Sequence, residues 1–346
     1  MEGLEISIIS LKGVNLGDRA DAEYFSKENR AIERALRDHN AIPLREFGTL
    51  VGSAFYPAAT DLYEEGDVPF ARCVDCIKYP VITHQQDAQF VRVPDWFVEQ
   101  SKQIDCAARG DIIITKVGSP CFASVVHDYD RIALSRTVLG LVRLKDISPY
   151  YLTAFLRCRF GFTQLLRQRE QTIQYQLTLE RVRDILVYRA SPKLQSAVEK
   201  AMLAHVAALE EANTKTNEAE SRLIAALGLG NWQPPEPLTY TRRALEAFAA
   251  KRLDSDYFSP RVTQLLARLG ASRRTVRDVA PPRQEKFTPA TSGDFRYIEI
   301  SDVRSDGTTT CETVPMRGAP SRATWKVRAG DVLTSTVAPS AASPHL

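Results

Sequence analysis

The sequence predicts an α+β protein with two similar domains, each a mixed, mostly β globule with helices, joined by a long coiled-coil-like helix. Three observations carry this prediction. A set of three sequence blocks recurs in the same order, short β-branched runs lie between Gly, Pro and Asp, and one uninterrupted helical pattern covers about 35 residues.

The duplication comes first because it sets the domain count. RADAEYFS at 19–26 returns as RLDSDYFS at 252–259, FARCVDC at 70–76 as YIEISDV at 297–303, and GDIIITKVGS at 110–119 as GDVLTSTVAP at 330–339. Chance similarity would not keep that order. Each copy opens with a short alternating segment, ISIIS from Ile6 and TYTRR from Thr239. In the first copy a helix is expected from the RxDxEYF block through KENRAIERALRDH. Strands are expected at about 68–75, 89–93, 111–117, 122–127 and 137–143, and the GD pairs before IIITKV and VLTSTV signal tight turns.

From Pro149 the character changes to helix. SPYYLTAFLRCRFGFTQLLRQRE places Leu152, Phe155, Leu156, Phe160, Leu165 and Leu166 in its apolar pattern and Arg157, Arg159, Arg167 and Arg169 on its polar face. Thr178 is placed to cap a further turn, which leads into the strand-like ILVY. After Ser191 and Pro192 the chain reads as one helix that stops at Gly228 and Gly230, about 50 Å long at about 1.5 Å per residue. Leu194, Val198, Ala201, His205, Ala208, Ala212 and Ala219 follow a 4,3 spacing, with Met202, Val206, Leu209 and Leu223 as a second stripe. Such a rod, unsupported by its own domain, reads as a spacer. WQPPEP at 232–237 reads as a Pro-rich hinge. The expected boundaries are therefore a first domain at 1–190, the spacer helix at 191–230, a hinge at 231–237 and an incomplete second domain at 238–346. The second copy lacks counterparts of roughly residues 127–227, which suggests a truncated or frameshifted two-copy protein.

Composition excludes several function classes. At 44% hydrophobic and 25% charged residues the chain is neither disordered nor fibrous overall. No apolar run approaches the roughly 18 residues of a membrane helix, and the N-terminus carries no export signal, so a cytoplasmic, membrane-free location is expected. The net charge of +3 is too small to imply a polyanionic partner, but 33 of the 45 basic residues are Arg, a bias a GC-rich genome would also produce. The excess is concentrated at 151–190, where seven Arg face only Glu170, Glu180 and Asp184. Six cysteines without an export signal do not suggest a disulfide framework. Cys73 and Cys76 form a lone CxxC, but the repeat aligns them with Ile300 and Val303 of a strand, which favours small core residues over a zinc half-site.

Catalytic signatures are missing. There is no GxxxxGK[ST] loop, no Asn/Asp-Pro-Pro-aromatic tetrapeptide, no ExK pair and no HExxH, and the five His are scattered. Asp21 and Glu23, two positions apart, cannot readily share a proton and read as turn or cap residues. No enzyme activity, cofactor or metal is expected.

The order of RxDAEYF, a β-rich block with GDIIITKVGS, LxxFLxxxFG, QTIQxQLTLE and ILVY before a long helix resembles the specificity (S) subunit of Type I restriction-modification systems, from about Leu4 to Val337. The resemblance implies two target recognition domains, each followed by a long helix, with the two helices packed antiparallel. Each domain would read half of a bipartite double-stranded DNA target, with helix length setting the gap between the halves. It further implies a non-catalytic subunit that carries methyltransferase (M) subunits and, through them, a restriction (R) subunit, in phage defence. Two half-sites one DNA turn apart, about 34 Å, suit a rod of this length. On this reading Lys116 and Ser119, Arg136 and Thr137, and Gln171, Thr172 and Gln174 are candidate DNA-reading residues, with Arg167 and Arg169 as phosphate contacts. The chain departs from the family pattern in lacking a second arginine-rich helix and a second long helix, so either the protein continues or this form is a homodimer through its single rod. Two other readings stay open: a recognition subunit of another phage-defence methyltransferase complex, and a non-functional interaction protein that sequesters methyltransferase subunits.

Overall fold

The computed structural model describes residues 8–9, 21–53, 66–101, 104–118, 121–170, 176–270, 275–304 and 307–334. The chain divides into two units, residues 1–223 and 224–346. The first begins with helix α1 (Lys27–Asp38), capped by the Ser26 hydroxyl on Asn29 N–H. Strands β1 (Ile42–Pro43) and β2 (Thr49–Val51) follow, then β3 (Val68–Ala71), helix α2 (Cys73–Ile77), β4 (Val81–Ile82), β5 (Val91–Val93) and α3 (Asp95–Gln100). Next come β6 (Cys106–Ala107), β7 (Ile112–Thr115), β8 (Ala123–Val126), β9 (Ile132–Leu134) and β10 (Val138–Val142). Helices α4 (Pro149–Arg157), α5 (Arg159–Arg167) and α6 (Leu179–Val182), strand β11 (Leu186–Val187) and the 35-residue helix α7 (Pro192–Ala226) complete the order.

Two sheets form the centre. One has five strands in the order β2-β10-β7-β8-β4, the other four in the order β5-β3-β9-β6. The five-stranded sheet is buried on both faces, which is why IIIT and VLGLV are apolar without alternation. Ile112, Ile114, Val125, Leu139 and Leu141 face a core completed by Ile32, Leu36, Leu152, Phe155, Leu156 and Leu165 from the helices. Their neighbours Ile113, Val126 and Val138 point the other way, onto Ala107, Ile132 and Leu134 of the four-stranded sheet. That sheet's far side carries Phe70, Val93 and Ala133 against Val98 of α3. Truncating one of these fully buried Leu or Ile side chains to Ala costs about 2–5 kcal/mol.

The expected strands at 89–93, 111–117, 122–127 and 137–143 correspond to β5, β7, β8 and β10, each slightly shorter. Other expectations are corrected. The strand from 68 stops at Ala71, because Asp75 accepts from Arg72 N–H (2.8 Å) and nucleates the helical turn that holds Cys73 and Cys76. Both cysteines are free thiols packed in the interior. Thr239–Arg243 forms no strand. The predicted arginine-rich helix is two helices, broken at Cys158, whose backbone turns extended. Gly161 permits this break. A Cβ there would lie 2.3 Å from the Phe155 carbonyl oxygen, so only glycine lets α5 fold back on the end of α4.

Helix α7 is not unsupported. Gln195 is buried, its amide donating to Ala190 O (2.8 Å) while its carbonyl accepts from Ser148 N–H (2.8 Å). Glu199 accepts from the Ser148 hydroxyl, and Val198, Met202 and Val206 pack on the main core. Val198 of the first stripe and Met202 and Val206 of the second thus face the domain, whereas Ala201, Ala208, Ala212 and Ala219 of the first and Leu209 and Leu223 of the second are exposed.

The second unit contains α8 (Ala244–Ala250), α9 (Pro260–Leu269), α10 (Val276–Val279) and the hairpin β12 (Asp294–Tyr297) with β13 (Glu312–Pro315). The aspartate-closed turn of each repeated block has the same hydrogen bond in both units. Tyr24 N–H donates to Asp21 (2.9 Å) and Tyr257 N–H to Asp254 (3.1 Å), and Ser26 and Ser259 cap α1 and α9. Arg72 N–H donates to Asp75 and Glu299 N–H to Asp302, both at 2.8 Å. Ala108 N–H donates to Asp111 and Arg328 N–H to Asp331, again at 2.8 Å, around glycines with φ of +87° and +89°. In every block an aspartate closes a turn on a backbone N–H, so these aspartates recur for a structural reason. Asp331 is held down to about 2, chiefly by its hydrogen bond from Arg283.

Gly161→Ala is expected to lower the urea midpoint by the equivalent of about 2 kcal/mol or more, because a packed backbone must move. An unchanged midpoint would show that α4 and α5 separate at no cost.

Candidate nucleic-acid interface

The sequence places its DNA-reading candidates in three segments far apart in the chain, and the fold brings those segments together. Strand β7 ends at Thr115, and the chain leaves it through Lys116, Val117 and Gly118. Lys116 N–H and Val117 N–H both donate to Thr137 O, at 2.8 and 3.2 Å, which ties this loop to the turn between β9 and β10. Leu177 N–H donates to Lys116 O (3.0 Å), and Gln176 bridges to both Val117 and Glu170. Residues 116–118, 135–137 and 176–177 therefore form one edge. Ser119, Gln171, Thr172 and Gln174 lie outside the described residues, but the backbone on either side of them is held at this edge.

Thr115 organises the loop base. Its hydroxyl accepts from Phe122 N–H (2.9 Å), and its carbonyl accepts from Cys121 N–H (3.0 Å), holding Cys121 at φ +82° in the left-handed region. Burial pushes the Cys121 thiol up to about 12, with the Arg169 charge opposing. Arg136 is exposed and Lys116 half-buried. Burial first, and then the Arg136 charge, lower the Lys116 ammonium from its ordinary value. The Thr137 side chain is engaged within the protein. Its hydroxyl accepts from Cys73 N–H (3.1 Å) and meets Ser135 Oγ at 2.7 Å, joining the start of α2 to this edge.

The arginine-rich helices look inward. Arg167, with 9% of its side chain exposed, donates to Tyr24 O (2.8 Å) and Glu33 (2.7 Å) and stacks 4.0 Å from the Tyr24 ring centre. Arg169 donates to Leu166 O (2.9 Å) and Glu23 (2.6 Å), Arg159 pairs with Glu28, and Arg181 pairs with Glu170. Arg157 donates to the carbonyls of Ala123 (2.7 Å) and Ile77 (2.8 Å). The local excess of positive charge is thus spent largely on docking α4 and α5 against α1, α2 and β8. Residue spacing could not reveal this, because Glu23, Glu28 and Glu33 lie more than 130 positions away. Gln176 and Leu177, which join the loops, were missed as well, having no chemistry that marks them in sequence.

Among the described residues no group of three or more His, Cys, Asp or Glu is placed to hold a metal ion, and no helix is long and apolar enough to cross a membrane.

No protein-family profile matches the sequence, and no curated protein matches it. The fold is similar to solved structures. One, from work on complex assembly and conformational transition of the type I R-M system, has 14% identity and a TM-score of 0.36 over 57% of this chain and 52% of that one. The type IIG restriction endonuclease BpuSI has 13% identity and a TM-score of 0.40, over 52% of this chain and 28% of that one. The Type-I restriction-modification S subunit from M. genitalium has 10% identity and a TM-score of 0.36, over 50% and 40%. The chain thus spans about half or less of each of these proteins.

Glu33 supplies a test of the α1–α5 junction. Burial raises its pKa, but hydrogen bonds from Arg167 and Arg37 outweigh this and hold the carboxyl below its ordinary 4.5. A depressed folded value adds stability that is present above pH 4.5 and lost as pH falls through the folded value. Arg167→Gln is therefore expected to cost about 1–2 kcal/mol at neutral pH, with the difference shrinking well below pH 4.5 in urea melts. A difference that stays constant with pH would assign the effect to stacking on Tyr24.

Proposed function

We propose that this chain is the DNA-recognition subunit of a Type I restriction-modification complex. It reads a bipartite double-stranded DNA target and positions methyltransferase (M) subunits and, through them, a restriction (R) subunit. The observation that carries this reading is the duplication: three sequence blocks, each closed by an equivalent aspartate, recur in order in two units joined through one long helix. Two copies of one module suit two half-sites. In the first unit the edge formed by residues 116–118, 135–137 and 176–177 faces DNA. Sequence is read there by the loops that carry Ser119 and Gln171, Thr172 and Gln174, and charge is supplied by Lys116 and Arg136. Arg167, Arg169 and Thr137 support that edge from behind, with their polar groups engaged within the protein.

The exposed alanine stripe of α7, flanked by Leu194 (49% exposed) and Leu223 (59% exposed), fits close packing against a second helix. A homodimer through this rod is the arrangement we assign to the chain. Sedimentation at micromolar concentration is expected to give a dimer, and a monomer with a fully helical rod would exclude this pairing.

The function is tested by co-expressing the chain with the adjacent methyltransferase gene and mapping methylated bases in host DNA by single-molecule sequencing. A bipartite motif is expected. A single half-motif would restrict recognition to the first unit, and a complex that forms but methylates no motif would replace this reading with sequestration of methyltransferase subunits.

A further inference from the structure

The edge that carries the candidate reading loops has a further member, the first turn of α2. Ser135 N–H donates to Ala71 O (3.0 Å) and Cys73 N–H donates to the Thr137 hydroxyl (3.1 Å), so residues 71–73 run beside the turn between β9 and β10. Through Thr137, whose carbonyl accepts from Lys116 N–H and Val117 N–H, the same segment is tied to the loop after β7. The turn itself is firmly closed. Asp75 accepts from Arg72 N–H (2.8 Å) and from the Arg72 guanidinium (3.0 and 3.1 Å), which also reaches Gln89 O (3.3 Å).

Within this turn the side chains divide. Cys73, Asp75 and Cys76 are buried, whereas Val74 among them is 65% exposed. The Val74 side chain has no hydrogen-bonding group, so of what duplex DNA displays it can pack only on apolar surface. In the major groove that surface is the C5-methyl group of thymine, since phosphates are charged and the remaining base edges present donors and acceptors. The repeat points the same way. The second unit closes the equivalent turn with Asp302 on Glu299 N–H, and at the place of Val74 it presents Ser301, which is also exposed. The aspartate that shapes the turn is kept in both copies, while the side chain offered from it changes from apolar to hydrogen-bonding. That change suits two modules that read different half-sites.

We propose that Val74 is a specificity-determining residue that packs on the C5-methyl group of one thymine, in the major groove of the half-site read by the first unit. This inference rests on the DNA-recognition reading above. It gives α2 an apolar contact beside the hydrogen-bonding loops, positioned by the bond from Cys73 N–H to Thr137.

The test uses the co-expressed complex of the full chain with its methyltransferase subunits, and duplexes that carry the motif mapped from its methylation. Each thymine of the motif is replaced in turn by deoxyuridine, which lacks only the methyl group. Binding is measured for the parent, Val74→Ala and Val74→Ser, changes at an exposed position that leave the hydrogen bonds of the turn in place. One deoxyuridine position is expected to weaken the parent about fourfold, the worth of one methyl group taken out of water. Both variants are expected to bind the thymine duplex at least about fourfold more weakly than the parent and to be indifferent to deoxyuridine at that position. Their salt dependence should match the parent's, because no phosphate contact is removed. A motif without thymine, or a parent indifferent to deoxyuridine at every position, would overturn the contact. Variants that bind the thymine duplex as well as the parent would overturn it too. So would variants that still weaken on deoxyuridine substitution at that position, which would place the effect of the mutation elsewhere than on the methyl group. A parent complex that methylates no motif would overturn the DNA-recognition reading itself, and the contact with it.

Discussion

Much of the first unit depends on how one partly buried guanidinium is satisfied. Arg157, at the end of α4, makes no ion pair among the described residues and donates to two carbonyls, Ala123 O on β8 and Ile77 O at the end of α2. Burial lowers its pKa from the ordinary 12.5, and those two oxygens stand in for the water it gives up. The Ser124 hydroxyl adds bonds to the carbonyls of Cys76 and Tyr79. Together they satisfy the end of a five-residue helix that is too short to be stable alone. Because α5 folds back directly from α4, the same anchor decides where α5 meets α1.

From that junction the candidate interface follows. Helix α5 is held on α1 by Arg167 between Tyr24 and Glu33, and by Arg159 on Glu28. The chain leaving α5 reaches Glu170, bridges to Gln176 and joins the loop after β7 through Leu177. The arginines that look from sequence like a surface for polyanions are thus the parts that hold the recognition loops in place. Lys116, half-buried, and Arg136, exposed, lie at the edge those loops form.

The two copies share local grammar but differ in how much they bury. In the first unit the large interior side chains come mostly from β7 onwards, after the Gly110–Asp111 turn. In the second unit none of the described residues is buried. The turns of the second unit thus form with no buried side chain among the described residues, as expected for structures closed by an aspartate on a neighbouring N–H.

The sequence by itself determined whatever rests on local contacts. The long helix from Pro192, the cap at Thr178, the GD turns and most strands are written in spacing, caps and β-branched runs, and the duplication is visible as identical residues at fixed order. Tertiary structure decided which partner each polar side chain takes. That Arg167 meets Glu33, that Gln195 and Glu199 seat α7 on Ser148, and that Lys116, Thr137 and Leu177 share one edge are contacts between residues from 21 to 134 positions apart. Charge and hydrogen-bonding capacity are properties of a residue, but whether they are spent inside or offered outside depends on what the fold places within about 3 Å of them.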